Sequence, residues 1–194
     1  MLRAAASLRA SLIAAALLLS ACTGSDAVDQ NGVSTYQFKG ATQLGKLIPA
    51  TNRKPAADFD AKLLDGGTFK LASTRGKAVV LNFWGSWCTP CRTELPQFDL
   101  LYRKVMKARG VSFLGVDSKD DAGKGRDFLR TNDISFPSVY DEPGRIPVRL
   151  GHLPATAFPF TVLLDPQGRV AAVYALQVSY KDLQQALDRL LAEH

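Results

Sequence analysis

Val79-Val80-Leu81-Asn82-Phe83-Trp84-Gly85-Ser86-Trp87-Cys88-Thr89-Pro90-Cys91 is the stretch that decides the fold. The run 78–84 is β-branched and aromatic with Asn82 as its one polar residue, which suits a central strand covered on both faces. Gly85-Ser86 breaks the strand. Pro90 suits the first turn of a helix, where a missing N–H costs nothing. Cys88 is therefore expected where unpaired backbone N–H groups and the helix dipole favour negative charge, a placement that lowers a thiol pKa and raises its thiolate fraction. A C-x-x-C pair in that position points to thiol–disulfide exchange.

Downstream, Leu95, Phe98, Leu101, Tyr102 and Val105 recur at helical spacing, so the helix is expected to run to about residue 108 and stop at Gly110, with Pro96 kinking it. Residues 111–116 form an apolar strand ending at Asp117. Residues 119–132 are charged, with Phe128 and Leu129 as apolar contacts, and read as a helix weakened by Gly123 and Gly125. A short strand over 134–140 and a loop rich in Pro and Gly follow. Residues 160–164 and 169–174 flank the turn Asp165-Pro166-Gln167-Gly168 as an antiparallel hairpin. Ser179 with Asp182 begins a last helix that buries Leu183, Leu187 and Leu190. Upstream, 57–64 and 68–71 make a hairpin around Asp65-Gly66-Gly67. The sum is an α/β fold: a central mixed β-sheet flanked by helices, in which β-α-β is followed by another helix and a terminal β-β-α.

The chain has 194 residues, 46% hydrophobic and 22% charged, which fits one globular domain plus an extension and excludes disorder and a polytopic membrane protein. Residues 1–21 read as a signal peptide of lipoprotein type. Arg3 and Arg9 form the basic region, and 12–19 is an apolar stretch too short to span a bilayer. Leu19-Ser20-Ala21-Cys22 resembles a bacterial lipobox, in which Cys22 would be lipidated; an ordinary secretory signal with an incidental Cys22 is the other reading. Both place the domain outside the cytoplasm, where disulfides persist. A lipoprotein anchor would hold it at the cell membrane. Residues 22–52, rich in Gly, Ser, Asp, Asn and Gln, are expected to be a flexible tether with a short ordered piece near 33–38, leaving 53–194 as the folded domain. Without Arg3 and Arg9 the net charge falls from +6 to +4, and the remaining Lys and Arg are scattered singly, so a nucleic-acid partner is not expected.

Several separated motifs carry a family resemblance. NFWGSWCTPCRTELP (82–96), preceded by Gly76-Lys77, resembles the thioredoxin-like disulfide reductases of the TlpA/ResA/CcmG group. So do the DGG turn, the ISFP segment at 134–137 and FPFTVLLDPQGRV at 158–170, in the family's order over residues 55–194. The resemblance implies a thioredoxin-like fold with an N-terminal β-hairpin and a central helix–strand insertion. It also implies a membrane-anchored, extracytoplasmic thiol–disulfide oxidoreductase, often serving cytochrome c maturation.

In such a pair the first cysteine is exposed and the second lies beneath it. Cys88 is expected to attack a substrate disulfide and Cys91 to resolve the mixed disulfide, with no metal and no organic cofactor. Thr89-Pro90 lies between the sulfurs and should tune the potential. Other readings of the pair are half a zinc site, for which Cys22, His152 and His194 make a poor remainder, a static disulfide, whose four-residue loop gains little from closure, and a peroxide-reducing relative, which would need a peroxidatic cysteine in another context. Glu94 suits the helix dipole. The resemblance gives it a functional role beside the cysteines, raising a thiol pKa or relaying a proton. Asn82 stands where thioredoxins carry a buried acid, so that relay is expected to be missing.

Pro159 matches the family's cis-proline, with Pro154 as the alternative; the spacing to Asp165 favours Pro159. A cis-proline there would leave the backbone at Phe158 free to pair with an extended substrate, although Phe158 is bulkier than the resemblance implies. Trp84 and Trp87 flank the cysteines; core is one reading of Trp84, on the strand, and Trp87 is expected on the rim. The substrate-contacting set is thus Trp87, Thr89, Pro90, Phe158 and Pro159. His152 and His194 receive no role. The expected activity is reduction of disulfides in exported proteins such as apocytochrome c, with a membrane thiol–electron donor as second partner. An oxidase of exported thiols and a non-catalytic binding or holdase module are the alternatives.

Overall fold

The computed structural model describes residues 36–153 and 157–193. The signal peptide, Cys22, the first part of the tether, Pro154 and His194 lie outside the described residues.

A short hairpin, β1 (Asp60–Lys62) and β2 (Thr68–Lys70), turns through Gly66 and Gly67, both at positive φ. β3 (Val79–Trp84) follows, all six of its residues buried. The chain then runs through α1 (Thr89–Leu101), β4 (Ser112–Ser118), α2 (Ala122–Thr131), β5 (Ser138–Asp141), the one-turn α3 (Ile146–Arg149), β6 (Phe160–Leu164), β7 (Val170–Tyr174) and α4 (Tyr180–Leu191). The sheet order is β5-β4-β3-β6-β7, with β3 central, β4 and β5 parallel to their neighbours on one side and β6 and β7 antiparallel on the other. This is the mixed sheet flanked by helices that the sequence implies. The helix–strand insertion is α2 with β5, and β5 takes an outer edge of the sheet.

Alternation along β3 divides the core. Val80 and Trp84 face α1 and α4, with Leu95, Phe98, Leu183 and Leu187. Val79, Leu81 and Phe83 face the other way, toward Phe59, Ile146 and Leu150. A strand buried on both faces needs this continuous apolar run.

Local boundaries depart from expectation in three places. The first helix does not continue as one α-helix to residue 108: it widens after Leu101 into a π turn over Tyr102–Met106, closed by Lys107 N–H donating to Tyr102 O at 2.9 Å. The first strand is confined to Asp60–Lys62. The Pro- and Gly-rich loop contains α3, with Pro147 in its first turn, where proline is tolerated.

The expected tether is corrected in its second half. Residues 36–52 lie on the fold, along the outer edge of β7: Thr42 and Ile48 N–H donate to Val173 O (2.6 Å) and Ala171 O (2.7 Å), and Tyr36 N–H donates to Pro55 O (2.9 Å). Polar composition gave no apolar period there, but a segment that covers a sheet edge needs backbone groups rather than a hydrophobic face. The other edge is covered by the first hairpin, where Leu64 N–H donates to Ser138 O at 2.9 Å.

Arg53 locks this arrangement. Its side chain is buried, donates to Ile48 O at 2.9 Å, and pairs with Asp165 at 3.4 Å and Glu193 at 2.7 Å. Arg53→Ala removes one of the two arginines that pair with the buried Asp165, the other being Arg169 at 2.8 Å. Breaking a buried pair from one side typically costs about 3 kcal/mol, so chemical denaturation should show a loss of that order; a loss below about 1 kcal/mol would mean that the pair acts like a surface one.

Candidate active site

The site stands where β3 ends and α1 begins. Cys88 N–H donates to Gly85 O at 3.0 Å, closing a turn over Gly85, Ser86, Trp87 and Cys88. Cys88 is the N-cap of α1: its backbone is extended, its C=O accepts from Arg92 N–H at 3.1 Å, and its sulfur accepts from Cys91 N–H at 3.3 Å. The helix thus places a free N–H donor and its positive end on the first sulfur, which stabilises a thiolate there. Pro90 sits in the first helical turn, as the sequence implies. Cys88 and Cys91 form a disulfide with Cα atoms 5.3 Å apart. Cys88 is only 4% exposed, less than the sequence implies, and Cys91 is 0% exposed, so the first residue lies at the edge of the buried core and the second within it. Thr89 and Pro90 are exposed.

Trp87 is 53% exposed. Its indole folds back over Gly85, where a Cβ would collide with Nε1, so glycine at 85 makes room for the ring. The same indole meets Phe158 edge-on, with centroids 5.3 Å apart. Phe158 in turn tilts against Phe160 at 5.6 Å, and Phe160 stacks on Phe83 at 4.1 Å. An aromatic ladder therefore runs from the rim beside Cys88 into the core. The Phe158–Pro159 peptide is cis, and the Trp87–Phe158 contact brings it to the cysteine turn. Pro154 lies outside the described residues. Trp84, by contrast, is fully buried against Phe128 and belongs to the core.

One helical turn beyond Cys91, Glu94 points into the interior and is 0% exposed. Its Oε2 accepts from Asn82 Nδ2 at 2.7 Å and its Oε1 from Val178 N–H at 2.6 Å; Asn82 Nδ2 also donates to Thr161 Oγ1 at 3.1 Å. Burial outweighs these two hydrogen bonds and pushes the Glu94 carboxyl up to about 7. Asn82 puts no acid on the strand, so the relay of thioredoxins proper is missing there, and the buried acid of this site is Glu94. The helix supplies the acid, and Asn82 holds it.

Two residues that the sequence reading passed over also belong to this region. Asp120, after β4, accepts from Ser86 N–H and Ser86 Oγ–H, and Asp117, at the end of β4, lies buried opposite Trp84. The available signal was their position at the carboxyl end of a parallel strand beside the cysteine strand. His152 follows α3 on an exposed turn at positive φ. Among the described residues no three His, Cys, Asp or Glu side chains converge as a metal site, and no helix is long and apolar enough to cross a membrane.

Comparisons with known proteins agree with this geometry. The AhpC/TSA family matches residues 53–185. The thiol-disulfide oxidoreductase ResA of Bacillus thuringiensis subsp. konkukian is 31% identical over 137 residues, covering 71% of this chain and 77% of the relative. Among solved structures, a DsbF homologue from Corynebacterium diphtheriae superposes with a TM-score of 0.73 at 32% identity, covering 81% of this chain and 100% of that one. A secreted thiol-disulfide isomerase from Corynebacterium glutamicum gives 0.75 at 30%, covering 81% and 98%. A thioredoxin-like sheet, a cysteine pair at the start of its first long helix and the ResA relatives lead to one conclusion: the chain belongs to the AhpC/TSA family and is a thiol-disulfide oxidoreductase of the ResA type.

Proposed function

We propose that the protein works as a reductase of disulfides in exported proteins, apocytochrome c among them, with Cys88 as nucleophile and Cys91 as resolving residue. In the reduced enzyme the Cys88 thiolate attacks one substrate sulfur, the substrate S–S bond breaks, and the released thiolate takes a proton. The Cys91 thiolate then attacks Cys88 Sγ, freeing the second substrate thiol and leaving the Cys88–Cys91 disulfide. Two electrons pass from enzyme to substrate, and a membrane dithiol donor restores the pair. Glu94 serves as the local acid–base group for Cys91. Trp87, Thr89, Pro90, Phe158 and Pro159 form the surface on which an extended substrate segment lies beside Cys88.

The observation that carries this reading is the arrangement of the pair: Cys88 at the helix N-cap and the edge of the buried core, Cys91 sealed beneath it, and a carboxyl poised at about 7 one turn further on. The extracytoplasmic, lipid-anchored setting through Cys22 is part of the same proposal. It is supported by the sequence of residues 1–22 and by the secreted relative from Corynebacterium. The test is to mix the reduced protein with an oxidised Cys-x-x-Cys-His peptide. Stoichiometric appearance of peptide thiols is the expected result. Oxidation of a reduced peptide by the disulfide form, with no reaction in the reverse direction, would make it an oxidase. Full cellular function in a Cys88→Ser, Cys91→Ser double variant would make it a binding module.

A further inference from the structure

The loop behind the cysteine turn carries three acidic residues, Asp117, Asp120 and Asp121, to which the exchange chemistry above assigns nothing. Asp121 has an ordinary task. It caps α2, accepting from Gly123 N–H (2.9 Å) and Lys124 N–H (3.0 Å).

Asp120 does something else. Its side chain leaves its own segment and takes both donors of Ser86: Oδ2 accepts from the backbone N–H at 2.5 Å and Oδ1 from the hydroxyl at 3.0 Å. Ser86 is the second residue of the turn that Cys88 closes. Asp120 is itself fixed from two sides, since Oδ1 also accepts from Asp121 N–H at 2.8 Å and its carbonyl accepts from Tyr140 Oη–H at 3.0 Å. Lys119, just before it, has φ 54, the left-handed conformation that turns the chain at the end of β4.

Asp117 lies on the other side of the same pair. It sits opposite Trp84 in the parallel register, is 0% exposed, and its carboxyl hydrogen-bonds to that of Asp120. Room for it is made by Gly125, where a Cβ would run into Asp117 Oδ2. Burial and the neighbouring charges of Asp120 and Asp121 push its carboxyl up to about 8. Asp120 is the member of the 117–120 pair that holds two donors from the cysteine turn.

We propose that Asp120 is a positioning residue for Cys88: by holding both donors of Ser86 it fixes the Gly85–Cys88 turn and, through the turn, the seat of the Cys88 sulfur over the Cys91 N–H. The disulfide exchange needs the sulfur in one attitude, because attack on an incoming S–S bond is directional and a small displacement is expensive in rate. Gly85 is held by the Trp87 indole over it and by Cys88 N–H on its carbonyl, but Ser86, between them, is partly exposed. The carboxylate from β4's loop supplies the missing constraint. The proposal rests on Cys88 as nucleophile, and not on the direction of electron flow.

The test measures the second-order rate at which the reduced protein reacts with glutathione disulfide, together with the thermal melting of each variant. A wild-type rate, abolished in Cys88→Ser, first establishes the nucleophile separately. Asp120→Ala, which removes both acceptors, should slow the reaction at least about tenfold. Asp120→Asn, which keeps a carbonyl oxygen for Ser86, should recover most of that rate. Asp121→Ala should melt lower because α2 loses its cap, yet react at the wild-type rate. If Asp120→Ala does not fold, Ser86→Ala decides: loss of the hydroxyl contact should slow exchange severalfold with unchanged melting. A wild-type rate in folded Asp120→Ala, an equal slowing in Asp121→Ala, or a wild-type rate in Ser86→Ala where Asp120→Ala is unfolded would overturn the proposal.

Discussion

Cys91→Ser should turn the protein into a trap. Cys88 remains at the N-cap, with its sulfur accepting from the backbone N–H of residue 91, so its thiolate still forms and still attacks a disulfide. Nothing beneath it can then displace the substrate thiol. The mixed disulfide on Cys88 should accumulate to nearly one per protein, persist until an external dithiol is added, and be seen as an adduct by intact-mass measurement. Cys88→Ser should form no such adduct, because Cys91 is fully buried and an incoming disulfide has no path to it. Turnover of a disulfide substrate should vanish in both variants. Equal adduct formation through Cys91 would contradict the order of events, and a structural role for the disulfide would predict adducts in neither.

Glu94→Gln should change both the pH dependence and the rate of resolution. Burial holds this carboxyl up at about 7, against an ordinary value near 4.5. Between those two values the folded protein binds a proton that the unfolded chain has released. Stability is therefore full below about 4.5 and falls as pH rises through about 7, by roughly 3 kcal/mol at 1.36 kcal/mol per unit. The amide of the Glu94→Gln variant cannot ionise, so denaturation midpoints measured from pH 4.5 to 7.5 should flatten by about that amount. The replacement fits: the new amide oxygen accepts from Val178 N–H, and Asn82 Oδ1, which has no partner, can accept from the new amide nitrogen once the Asn82 side chain rotates. Release of substrate from the mixed disulfide should slow by about 10²-fold, with loss of the inflection near pH 7. A Glu94→Gln protein with the wild-type inflection would assign that titration to another group.

How much of the molecule was legible in the sequence depends on what each residue's chemistry projects along the chain. The central strand, the helix begun by the cysteine pair and the final hairpin were legible because apolar period, Pro90 and the Asp165-Pro166-Gln167-Gly168 turn are local signals. Ser179 with Asp182 marked the start of α4 for the same reason, and the observed cap is that pair. Pro159, rather than Pro154, could be assigned by counting to the next strand. Contacts made across the fold left no local trace. Nothing near Asn82 in sequence says that it holds Glu94, twelve residues on, and nothing near Ser86 points to Asp120. The segment 36–52 was misread for a related reason: it covers a sheet edge through backbone groups, which composition does not report. Phe158 falls between these cases. Its bulk was visible in the sequence, but its use, as the rung between Trp87 and Phe160, needed the fold.

The reductase reading stands most directly on the equilibrium reduction potential of the Cys88–Cys91 pair, measured by titrating the folded protein against dithiothreitol and glutathione buffers. A potential near or below about −270 mV is the predicted result, since only a pair that gives up electrons readily can reduce the disulfides of exported proteins. A value near about −120 mV would contradict it and make the same geometry an oxidase of exported thiols.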